Sequence, residues 1–176
     1  MATFGSVSFT MRVYYSTYHL WAARHFTRLA RDIEDAHVGS SAFDIAHRSY
    51  VTNAILSAVA FLEAAVNELF QDAADGHSSY IAPLDAHCSK LLAGLWQDGE
   101  GSSVSGWPIL DKYQVVLLGS GKDIFDKGAP PYQAARLAIR LRNTLTRFRP
   151  ETQGEDSLSK MAAGLKSQRF PLNPLN

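Results

Sequence analysis

Four arginines fall within the eleven residues RLRNTLTRFRP, Arg140 to Pro150, and no acid accompanies them. Arg136 lies one helical turn earlier, so five guanidiniums occupy positions 136–149. A guanidinium is a planar fork of donors that matches phosphate oxygens two at a time. It keeps its proton at any ordinary pH, so it grips negative charge without carrying protons. At 100° per residue, Leu137, Leu141, Thr144, Leu145 and Phe148 share one arc of about 100°. Arg136, Arg140, Asn143 and Arg147 gather within about 60° on the opposite side, with Arg142 and Arg149 on a flank. The segment reads as a two-faced helix, core stripe on one side and cationic on the other. A plain solvated face is the bland alternative, with Arg147 and Arg149 favoured by the negative helix C-terminus. Solvated faces, however, mix Glu with Lys to gain i,i+4 pairs, and this one uses arginine alone. Asn143 is a poor helix former, so its mid-helix place points to a side-chain contact.

The remaining elements must hold that helix. The 176 residues suffice for one domain, 1–176, with a real core, and 46% are apolar. Net charge is zero but unevenly placed: residues 50–112 hold eight acids and two lysines. Helical periodicity runs over 16–37, where Ala22, Phe26, Leu29, Ile33 and Ala36 recur at three and four. It runs again over 44–74, where Val51, Ile55, Val59, Leu62, Val66, Leu69 and Phe70 form a stripe wide enough for a central bundle helix. Shorter helices follow over 83–96 and 108–118, then the basic helix from the prolines at 130 and 131 to Arg149, then 157–166. Residues 6–14, SVSFTMRVY, alternate strictly and predict a short N-terminal strand or arm. Residues 167–176 read as an extended tail. The fold class is all-α, an antiparallel helical bundle.

Several functions are disfavoured. One cysteine, Cys88, allows no internal disulfide and suits a reducing compartment; its default reading is a buried apolar residue. The N-terminus lacks a charged region followed by an apolar core, which predicts a cytoplasmic protein without a signal peptide. The most apolar run, residues 54–66, is 13 long and contains Glu63, short of the ~20 a membrane span needs. The six histidines form no H-E-x-x-H pattern or Cys/His cluster, so no metal or cofactor is expected. GSGK at 119–122 lacks the phosphate-loop spacing and reads as a turn. Glu63 and Asn67, four apart on the central helix, read as a structural polar pair, with orientation of Arg142 as a second role.

YQAARLAIRLRNTLTRFRPE resembles the signature helix of the HEPN superfamily, in which an R-N-x-x-x-H segment ends a late helix, often followed by an aromatic residue and a proline. Here Leu141, Arg142 and Asn143 precede Arg147 at the histidine's place, then Phe148 and Pro150. AILSAVAFLEAAVNELF is similar to the family's central helix, with Glu63 and Asn67 as its polar pair. The resemblance implies an all-α homodimer whose signature helices face each other across a cleft. It implies RNA as the target, cut without metal, often in toxin–antitoxin or phage-defence systems. It makes Arg142, Asn143 and Arg147 the catalytic positions, with Arg136, Arg140 and Arg149 as RNA contacts. Cleavage by a 2′-OH needs a base, an acid and positive charge on the phosphate. Histidine supplies the first two near neutral pH; Arg147 supplies only the third. The chain is then a non-cleaving RNA binder, or borrows a histidine from elsewhere in the bundle, or carries an introduced replacement. The rival reading is a non-catalytic interaction module whose arginines meet an acidic protein partner, such as an antitoxin or a nucleotidyltransferase. A third is a structural bundle with no anionic ligand.

Overall fold

The computed structural model describes residues 11–38, 44–97, 104–147 and 165. They form α1 (Tyr15–Ala36), α2 (Ile45–Asp75), α3 (Ser78–Ile81), α4 (Ala86–Gln97), α5 (Ile109–Gly119) and α6 (Pro130–Thr146), with a 3-10 turn at Val104–Gly106 before α5. The fold is all-α, helix packed on helix. The sequence pattern located the five longer helices within a few residues and missed α3. The helix expected at 157–166 and the tail at 167–176 lie outside the described residues, apart from helical Leu165.

α2 is the axis of the bundle, and α1, α4, α5 and α6 all pack against it. α1 runs antiparallel to it, because Glu34 bonds His47 at one end of the pair and Ser16 bonds Glu68 at the other. α2 begins at Asp44, whose carboxylate accepts the His47 N–H at 2.8 Å. It ends at Gly76, where φ is +66°, a conformation that favours glycine, and the His77 N–H closes back on the Asp72 carbonyl at 2.8 Å. Val66, Phe70 and Ala73 of α2 meet Cys88 and Leu92 of α4 and Val104 in the main core. Cys88 is a buried free thiol. By length and composition alone α2 could span a membrane. Glu63, Asn67, Glu68 and Gln71 of α2 are nonetheless bonded to α6, α5, α1 and α4.

The expected N-terminal strand is corrected where it can be followed. Residues 11–14 form no strand, and 6–10 lie outside the described residues. Alternation persists over residues 11–14: Met11 and Val13 are 75% and 45% exposed, while Arg12 and Tyr14 turn inward. The cause is Asp72, fully buried on α2. It pairs with Arg12 at 2.7 Å and accepts the Tyr14 hydroxyl and the Tyr80 N–H, each at 3.1 Å. Arg12 also donates to Asp75 at 2.7 Å and holds that carboxyl below its usual range. A buried carboxylate selects cationic and hydroxyl partners, so the polar side of the extended segment faces the protein.

α1 has no cap of its own, since Tyr14 makes no side-chain cap bond. Glu68 of α2 supplies one, accepting the Ser16 N–H at 2.9 Å and its hydroxyl at 2.5 Å. Lys112 of α5 is buried and donates to Asn67 Oδ1 and to the Ser105 carbonyl, both at 2.8 Å. Burial lowers its pKa, opposed by the charge of Glu63. The neighbouring Tyr113 donates to the Leu62 carbonyl at 2.9 Å, and burial pushes its hydroxyl up to about 12.

Two outcomes follow from these contacts. Asp72→Ala strands Arg12 and Tyr14 and lowers stability by about 3 kcal/mol, read from urea unfolding; an unchanged midpoint contradicts the role given to the carboxylate. In alkali the neighbours act oppositely. Folded Tyr113 keeps a proton that the unfolded chain loses from pH 10.0 upward, so stability falls between there and about 12. Folded Lys112 gives up its proton sooner than the unfolded chain, so its contribution rises with pH toward 10.5. Urea midpoints across this range flatten above pH 10 in Tyr113→Phe.

Candidate arginine-lined cleft

α6 starts where two prolines can stand. Ala129 is extended, at φ −76° and ψ 153°, and Pro130 and Pro131 fill the first turn, where missing N–H groups cost nothing. Tyr132 and Leu137 are buried, Leu141 is half-buried, and Leu145 is 40% exposed, so burial of the stripe fades along the helix. The helix ends at Thr146, and Arg147 follows as a turn whose N–H bonds the Asn143 carbonyl at 3.1 Å. Arg149 and Phe148 lie outside the described residues.

Between α6, the start of α5 and one side of α2 runs a cleft of about 590 Å³. Arg136, Arg140, Arg142, Asn143 and Arg147 all line it. The opposite wall is Trp107, Pro108 and Asp111, and Glu63 of α2 contributes the inner edge. Four guanidiniums thus face two carboxylates. Arg136, Arg140 and Arg147 are exposed, and among the described residues no carboxylate lies within ion-pair distance of them. Arg136 and Arg140 stand about 6 Å apart along the axis, and Arg140 and Arg147 about 10 Å. Asn143 makes no side-chain hydrogen bond among the described residues, so the contact its position suggested is not found among them.

Arg142 differs. Its Nη2 reaches Glu63 Oε2 at 3.4 Å, beyond the usual range of a charged hydrogen bond. Its Nε is covered from solvent and bonds nothing, the one such side-chain atom among the described residues. Glu63 and Asn67 are not bonded to each other; Glu63 reaches α6 and Asn67 accepts from Lys112 of α5. The polar pair of the sequence is two separate ties to two helices.

No histidine lines the cleft among the described residues. His25 stacks on Trp21 at 4.8 Å along α1, His47 bonds Glu34 at 2.7 Å, and His77 lies against Tyr14. The groups that can exchange a proton in the cleft are Glu63, Asp111 and Tyr132. Asp111 carried no signal in the sequence, because an acid in a helix's first turn is an ordinary choice. No group of three or more metal-ligating side chains occurs among the described residues.

Comparison with protein-family models, curated proteins and solved structures finds no match to this chain. The cleft must be read from its own chemistry.

Proposed function

We propose that the cleft binds single-stranded RNA by its phosphates, in a HEPN-like domain whose signature histidine is replaced by Arg147. The carrying observation is the row Arg136, Arg140 and Arg147: exposed, without carboxylate partners among the described residues, and converging on one concave surface. Permanent cations in a cleft raise the local concentration of a polyanion. Trp107, 39% exposed on the far wall, offers a face for base stacking. RNA as the target, a homodimer opposing two α6 helices, a cytoplasmic setting and a place in toxin–antitoxin or phage defence rest on the HEPN resemblance. With arginines in place of a histidine, the reading is binding without cleavage. The acidic-protein alternative uses the same arginines, but a concave surface edged by an exposed indole suits a strand of stacked bases better.

Fluorescence anisotropy with labelled RNA across a salt series tests this. Binding weakens steeply with salt, and Arg140→Ala reduces the slope by about 0.7. Lys90→Ala, on exposed α4 surface, changes neither affinity nor slope. Equal effects of the two variants, or salt-insensitive binding, remove the assignment, and tight capture of an acidic peptide in preference to RNA favours the alternative. Arg147→His restores a proton carrier and raises RNA cleavage about 10²-fold or more, scored on a gel. A folded but inert Arg147→His variant removes the link between the missing histidine and lost cleavage.

A further inference from the structure

Among the described residues, three of the four arginines lining the cleft have no carboxylate partner, and one has. Arg142 is held by Glu63, and poorly. The contact is single, from one Nη to one Oε, and long at 3.4 Å. The Nε–H beside it is buried without an acceptor. A covered donor left unbonded loses the hydrogen bond it would make in water, so this pose of Arg142 is under-bonded. Glu63 is itself lightly anchored: its side chain is 41% exposed and Arg142 is its only bonded partner among the described residues. A phosphate offers what Glu63 does not here, two oxygens placed to accept from Nε and Nη together. The Nε is covered where it stands, so the arginine must move to use that edge, and its long flexible side chain permits the swing.

We infer that Glu63 is a positioning residue that stows Arg142 at the inner edge of the cleft, and that a phosphate of a bound strand draws the guanidinium away from it into a two-point contact. Rested on the phosphate-binding reading above, this makes Glu63 an internal competitor of the ligand. The intrinsic affinity of the cleft is then masked by the fraction of molecules in which Arg142 is stowed.

The test is a double-mutant cycle read by anisotropy, using a fluorescein-labelled oligouridylate of about 12 nucleotides. Wild type, Glu63→Gln, Arg142→Ala and the double variant are compared, with circular dichroism confirming the fold of each. Glu63→Gln binds about 3- to 5-fold tighter, the scale of a half-exposed ion pair. The gain disappears when Arg142 is already alanine. Glu63→Asp, which keeps the charge but shortens the reach, also tightens binding; it stands in if the glutamine variant misfolds. An equal gain in both backgrounds means that Glu63 acts only by its charge, and weaker binding by Glu63→Gln means that it holds Arg142 in the binding pose; either result overturns the inference. Salt-sensitive wild-type binding weakened in Arg140→Ala but indifferent to Glu63→Gln sinks the stowing role alone. Absence of salt-sensitive binding in every variant sinks both readings.

Discussion

A helix that is apolar nearly all round cannot leave its few polar groups unbonded, because a buried carboxylate or amide without a partner costs more than most single contacts return. Along its C-terminal half, α2 sends five polar side chains outward to bond other parts of the chain. Glu63 reaches Arg142 of α6, Asn67 takes Lys112 of α5, and Glu68 caps α1 through Ser16. Gln71 accepts from Trp96 of α4 at 2.7 Å, and Asp72 gathers Arg12, Tyr14 and Tyr80. Apolar burial brings the helices onto α2, and this row of bonds fixes which part of each helix lies where.

The row is not uniform, and its gradient connects structure to function. Asp72 is fully buried and satisfied several times over, so it is structural. Glu68 is committed to one helix end through two atoms of Ser16. Glu63, nearest the cleft, is half exposed and makes one long bond to an arginine with a second donor unmet. The same device that locks the N-terminal segment is loose where the arginines converge. Beside that loose ion pair, the three guanidiniums without a carboxylate partner among the described residues are what the proposed phosphate exchange rests on.

The cationic face of α6 was legible because arginine, leucine and asparagine fall on fixed sides of any helix built from that segment, whatever surrounds it. Helix positions were legible for the same reason, from apolar periodicity and from prolines and glycines at their ends. The N-terminal alternation was legible as an extended segment but not as to which side faces inward. Period two defines two faces and does not rank them, and buried Asp72 made the choice, drawing Arg12 and Tyr14 inward. Glu63 and Asn67 were visible as a polar pair, yet nothing in i,i+4 spacing says that the two point to different helices.

From its sequence alone, this chain is a set of helices with one permanently cationic face and no ionisable imidazole in the segment that carries it, since those properties follow from local geometry and side-chain chemistry. Tertiary structure alone decided that three of the guanidiniums line a common cleft without a carboxylate partner among the described residues, that a fourth is tied to Glu63, and that Trp107 and Asp111 form the opposite wall. Those are distances between residues far apart in the chain, set by how α5 and α6 settle on α2, and no periodicity within a single segment encodes them.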